Sequence, residues 1–192
     1  METIYYSKYS VKIQLLIAHV FLLSSIIAQP TWINTYDGEG ANEIIETTDQ
    51  SYLIAGSFAG SGTRGARIIK ITADGDTLWT KSYGDDNQEN AIAVIETSDQ
   101  AYLFAGNKNT FTGNGIDAWL VKTDTEGNTI WIQTFGGSSN DFARAVIETS
   151  DNAFLVAGST ESYGSGNSDF WLIKTNMNGD TLWTRTYGGS GW

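Results

Sequence analysis

A tryptophan returns on a near-fixed schedule along this chain. Trp32, Trp79, Trp131 and Trp183 are separated by 47, 52 and 52 residues. The two full units, 80–131 and 132–183, align without gaps and match at 21 of 52 positions. Shared words are Ala-Val-Ile-Glu-Thr-Ser-Asp (Ala93–Asp99, Ala145–Asp151), Ala-Gly (Ala105-Gly106, Ala157-Gly158), Asp-x-Trp-Leu (Asp117–Leu120, Asp169–Leu172) and Gly-x-Thr-x-Trp. The unit 33–79 keeps Ile44–Asp49, Ala55-Gly56 and Asp74–Trp79 but is shorter in its loops, and a further unit begins at Thr184. A period of this length means one supersecondary unit per repeat, stacked so that neighbours bury each other.

Each unit reads as four strands. In the second they are expected at Ala91–Thr97, Tyr102–Gly106, Ala118–Thr123 and Thr129–Phe135, separated by Ser98-Asp99, the Gly-containing stretch 107–116 and Thr125–Asn128. No window holds a 3.6-residue apolar period. Runs such as Leu103-Phe104-Ala105 and Trp119-Leu120-Val121 are apolar on both faces, whereas a sheet with one wet face alternates. The predicted fold is therefore all-β and propeller-type: four-stranded antiparallel blades on a repeat of about 52 residues, three of them with the start of a fourth. A β-sandwich or an open stack of sheets is the second choice. Closed propellers have about four to eight blades. The chain is therefore expected to be part of a longer one. The alternative is a short chain that closes by oligomerising.

Residues 1–29 are expected to be a signal peptide, with Lys8 and Lys12 ahead of an apolar run from Leu15 to Ala28 that ends in small residues. The run is short for a membrane span, so no membrane insertion is expected once it is removed. The expected location is secreted or on the cell surface. The whole chain carries a net charge of −11, which disfavours nucleic acid as a partner. It has no cysteine, and its one histidine, His19, falls in the expected leader. Residues 30–192 thus lack a thiol nucleophile, a His general base and the usual zinc ligands.

The remaining candidates are acids and tryptophans. Asp85, Asp86 and Glu89, with Asp141 in the matching loop of the next unit, are hard oxygen donors on flexible loops and make Ca²⁺ the one cofactor considered. Glu43, Glu89 and Asp141 also read as a repeated acid that accepts backbone N–H groups of its turn. Trp79, Trp131 and Trp183, with Gly127 and Gly179 four residues before two of them, read as structural repeat residues packed between blades. Trp119 and Trp171 are expected in the core. Arg64 and Arg67 are read as standing where the other units have Asp and Trp. No residue is assigned a catalytic role. Carboxylates that recur with the repeat behave as structural features, and glycoside hydrolysis needs one particular pair in a cleft.

Asp169–Thr175, Asn178–Trp183 and Thr186–Gly189 resemble a repeat of secreted proteins from Bacteroidota-like bacteria. The resemblance covers residues 30–192. It implies β-propellers, often followed by a C-terminal sorting domain for type IX secretion. Gly127–Trp131 and Gly179–Trp183 have a weaker similarity to the tryptophan-docking repeat of quinoprotein dehydrogenases. The function expected from all of this is a non-enzymatic scaffold binding an extracellular glycan or protein. The alternative is the N-terminal part of a polysaccharide hydrolase or lyase whose active groups lie downstream.

Overall fold

A computed structural model describes Thr35 and residues 40–60, 63–85, 88–110 and 115–190. The expected signal peptide, Trp32 and Asp86 lie outside the described residues.

Among the described residues, twelve strands form three four-stranded antiparallel sheets in chain order. Blade 1 contains β1 (Gly40–Glu46), β2 (Tyr52–Gly60), β3 (Thr63–Ile71) and β4 (Thr77–Tyr83). Blade 2 contains β5 (Asn90–Glu96), β6 (Tyr102–Asn109), β7 (Ile116–Thr123) and β8 (Thr129–Phe135). Blade 3 contains β9 (Asp141–Thr149), β10 (Ala153–Thr160), β11 (Asp169–Thr175) and β12 (Thr181–Tyr187). Every neighbour within a sheet is antiparallel, and no sheet closes on itself. Each first strand packs on the first strand of the next blade. This is the all-β, blade-by-blade architecture of a propeller, as a partial set.

The repeat words explain why each sheet holds its shape. Each first strand carries a β-bulge opposite the second, at Ala41/Glu43 and Ala91/Ala93, with the same irregularity at Ala157/Gly158 in blade 3. A bulge bends and twists its strand locally, and here the second strand lies very close to the first. A Cβ on Gly106 would stand 1.8 Å from the carbonyl oxygen of Asn90, and one on Gly158 would stand 1.7 Å from that of Phe142. The second residue of each Ala-Gly word must therefore be glycine.

The core lies between sheets. Leu53, Ala55 and Ile68 of blade 1 meet Val94, Tyr102, Phe104 and Trp119 of blade 2. Leu103, Ala105 and Leu120, on the other face of blade 2, meet Val146, Phe154, Trp171 and Ile173 of blade 3. The middle strands of blade 2 are buried on both faces, which is why β6 and β7 do not alternate. Trp119 and Trp171 are buried, and Trp119 meets Phe104 edge-on with ring centroids 5.5 Å apart.

The structure shifts several sequence boundaries. β6 and β7 run on to Asn109 and back to Ile116, so Lys108 pairs with Asp117 where a loop is expected from sequence. Thr184–Tyr187, the opening of the fourth sequence unit, complete β12 of blade 3. The blade boundary thus falls at the loop after the fourth strand, and the repeated tryptophans sit inside that strand. Arg67 does hold the place of Trp119, because both pair with the glycine of the Ala-Gly word. The place of Asp117 falls to Gly65, and Arg64 takes that of Ile116. Glu43 is also displaced from the expected series. It pairs with Ala55 inside β1, as Ala93 pairs with Ala105, so it is not the counterpart of Glu89. Its carboxylate instead accepts the backbone N–H of Val94 in blade 2.

Candidate functional site

Strand direction divides each blade into two ends. The turns joining first to second strand (47–51, 97–101, 150–152) and third to fourth (72–76, 124–128, 176–180) lie at one end. The loops joining second to third strand, and one blade to the next, lie at the other.

The first end is built identically in every blade. Thr47, Thr97 and Thr149 donate their hydroxyls to Asp49, Asp99 and Asp151. The other oxygen of each Asp takes the ammonium of Lys70, Lys122 or Lys174, at 2.6, 2.6 and 2.5 Å. Gln50, Gln100 and Asn152 complete these turns with positive φ. Asp49 is held well below the usual carboxylate range, first by Lys70 and then by Thr47. Burial opposes the charge on Lys70, but Asp49 and the Tyr102 hydroxyl of blade 2, 2.8 Å away, outweigh it and raise its pKa.

Each blade also fastens to the next at this end. Glu96 of blade 2 accepts the backbone N–H of Thr48 at 2.7 Å and its hydroxyl at 2.9 Å. Glu148 of blade 3 takes the N–H and hydroxyl of Ser98 in the same way. The indole Nε1 of Trp131 donates to the carbonyl of Met177 in blade 3. Gly179 lies beneath that ring, as Gly127 lies beneath Trp79. Trp79 and Trp131 are thus half-buried at the seams between blades. Trp183 is in the same strand position of blade 3 and is exposed.

The second end varies. The loop between second and third strands is residues 61–62 in blade 1, 110–115 in blade 2 and 161–168 in blade 3. Its acids are buried beneath the loops. In blade 2, Glu89 is 2% exposed, accepts the Asp85 N–H and lies 3.4 Å from Lys108, which also pairs with Asp85 at 3.0 Å. In blade 3, Asp141 is fully buried and accepts from the Thr160 hydroxyl, the Ser162 hydroxyl and the Gly137 N–H. Asp117 and Asp169 complete this buried set, and one oxygen of each has no hydrogen-bond partner among the described residues. Asp117 Oδ1 and Asp141 Oδ2 both lie within 2.9 Å of the point where a Cβ on Gly136 would stand. Burial first, and then the Asp141 charge, raises the pKa of Asp117.

Of the four acids considered for Ca²⁺, Asp85 and Glu89 share Lys108 as a counter-charge, Asp141 bonds within blade 3 and its preceding loop, and Asp86 is outside the described residues. No group of three acidic or histidine side chains that could hold a metal ion occurs among the described residues. Asp117 and Asp169 were missed as site residues. The Asp-x-Trp-Leu word was the available signal, since an Asp beginning an apolar strand has to be buried or capped.

No known protein family matches the sequence, and no curated protein matches it. Among solved structures, a protein of unknown function from Bacteroides caccae is similar over 76% of this chain and 60% of that one, with 12% identity and a TM-score of 0.44. The chain therefore spans less than two thirds of that protein's length.

Proposed function

We propose that this chain is a secreted, non-enzymatic binding scaffold of propeller type. It presents the variable loop end of its blades to an extracellular glycan or protein. The carrying observation is the contrast between the two ends: the Thr-Asp-Lys turns are the same in all three blades, while the second-to-third-strand loops differ in every blade. Variation confined to loops on a rigid frame is how binding surfaces diversify. Tyr163, 47% exposed on the 161–168 loop, supplies an aromatic face of the kind that stacks on sugars or anchors proteins.

The buried carboxylates favour this reading over hydrolysis. Asp117 and Asp141 resemble an acid–base pair in their proximity and in the raised pKa of Asp117. Glycoside hydrolases keep their carboxyls about 5 Å or more apart in an open cleft. Here both are buried, one of them bonded on both oxygens. Screening the protein against a glycan array and a polysaccharide panel tests the proposal. Binding that is lost in Tyr163→Ala and kept in Lys174→Met is expected. Binding insensitive to the 161–168 loop, or release of reducing sugar, would overturn it.

A further inference from the structure

We infer that Asp117 of blade 2 and Asp141 of blade 3 hold a Ca²⁺ ion between them, at the loop end of the seam that joins these two blades. The inference is independent of the ligand proposed above.

The two seams of the chain treat the same buried charge differently. At the first, the acid is Glu89, whose carboxylate lies 2.5 Å from the point where a Cβ on Gly84 would stand. Lys108 supplies a cation 3.4 Å from it, and the third strand of blade 1 contributes only Gly65 at this level. At the second seam the corresponding residues are Asp141, Gly136 and Thr160, and the third strand of blade 2 contributes Asp117. A hydroxyl stands where the lysine was, and a second carboxylate stands where the glycine was.

Asp117 Oδ1 and Asp141 Oδ2 lie 1.9 and 2.9 Å from one point, that of a Cβ on Gly136. Neither acid has an ion pair with a lysine or arginine among the described residues. Asp117 is 9% exposed, and Oδ1, the oxygen turned toward Gly136 and Asp141, has no hydrogen-bond partner among the described residues. Buried charges are paired or coordinate metal ions. The first seam pairs its charge with an ammonium of its own, and the second leaves two carboxylates for a cation from solution.

Ca²⁺ suits these donors. It takes oxygen ligands at about 2.3–2.6 Å from carboxylates, backbone carbonyls and water, so a third acid is not required. Two carboxylates match its charge, and two oxygens within 2.9 Å of a common point are close enough for one such ion to bridge. The existing bonds of Asp141 leave room for this exchange. The Ser162 hydroxyl lies 2.6 Å from Asp141 Oδ2 and 3.3 Å from the Ser139 carbonyl oxygen, so its proton can turn to Ser139 and free that side of the carboxylate. Without the ion, the two acids are left to the mutual repulsion described above.

Calorimetric titration of the chelator-treated whole chain with CaCl₂ tests this, with thermal melts in Ca²⁺ and in chelator alongside. One binding heat is expected, and Ca²⁺ at about a hundred times its Kd should raise Tm by about 5–10 °C. Asp117→Asn should weaken binding by about tenfold or more, because it removes a ligand charge. Thr160→Lys gives this seam the ammonium that Lys108 gives the other, and should abolish both the binding and the effect of chelator on the melt. If that variant does not fold, Asp117→Asn carries the test alone. Asp85→Asn, at the other seam, should bind as the parent does. No heat and no Tm shift, stabilisation by acid without any response to Ca²⁺, an affinity unchanged in Asp117→Asn or in a folded Thr160→Lys protein, or binding lost in Asp85→Asn would overturn the inference.

Discussion

The indole Nε1 of Trp79 donates to the carbonyl oxygen of Thr125, 3.1 Å away in the neighbouring blade, and Gly127 carries the same turn beneath the ring. Gly127 has φ +76, and a Cβ there would stand 2.9 Å from Lys81 and 3.1 Å from the ring. Gly127→Ala should cost about 2 kcal/mol, because the left-handed conformation alone costs an L-residue about 1–2. Trp79→Phe keeps most of the packing and loses one partly solvated hydrogen bond, so it should cost about 1 kcal/mol or less. Urea unfolding followed by tryptophan fluorescence measures both. An Ala variant no less stable than the Phe variant would show that the seam does not depend on the turn.

The glutamate clasps should couple blades without deciding whether each blade forms. Glu148→Ala leaves the N–H and hydroxyl of Ser98 to water at an exposed site, so a loss of about 1 kcal/mol is expected. Ser98→Ala removes the hydroxyl half of the same contact. The double variant should therefore lose less than the sum of the two single changes. Additive losses would mean that the side-chain contact carries no coupling.

Lys108 is the one lysine paired with Glu89 among the described residues, and the Glu89 side chain is fully buried. Lys108→Met removes a cation 3.4 Å from that carboxylate and should cost about 1–3 kcal/mol. Adding Glu89→Gln should recover part of the loss, because the buried charge is then gone. Thermal unfolding of the two variants side by side reads this. A Lys108→Met protein as stable as the parent would show that backbone donors alone satisfy Glu89.

Acid should act on this fold in two opposite ways. Asp49 and Asp151 have folded pKa values lowered by lysine and then threonine bonds. At Asp99 burial works the other way and is outweighed by Lys122 and Thr97. The stability these three add is complete above their unfolded pKa of about 3.9 and is lost as pH falls through the folded values. Asp117 is raised, by burial and then by Asp141, so its contribution is complete below its unfolded pKa and is lost as pH rises through the folded one. Urea midpoints should therefore rise as pH falls through the folded pKa of Asp117 and then fall in the region below about pH 4. Asp117→Asn should remove the first effect and keep the second. A wild-type profile that falls steadily from pH 7 would contradict the assignment to Asp117.

Much of the frame was legible because the repeat writes the same physics three times. Ala-Gly marks the bulge where only glycine fits. Thr-x-Asp marks the turn whose acid takes the lysine of the third strand. Two-faced apolar runs mark sheets covered on both sides. These are local demands, and a local demand leaves its residue type in the sequence. The acids were harder to read. Glu43 looks like a member of the Glu89 series when counted from the nearest apolar residue, but the bulge at Ala41/Glu43 moves it into the strand and across to Val94. Asp117 looks like a strand residue, and its closeness to Asp141 arises only when the loop at Gly136 folds back over it.

The sequence by itself determined the number of strands per unit, the turn chemistry and the location of the core between units, since periodicity and residue type settle those without long-range information. The tertiary structure alone decided where one blade ends and which acids share a counter-charge. Those depend on register between strands and on contacts between blades some 50 residues apart, such as Ser98 with Glu148, which a linear pattern does not specify.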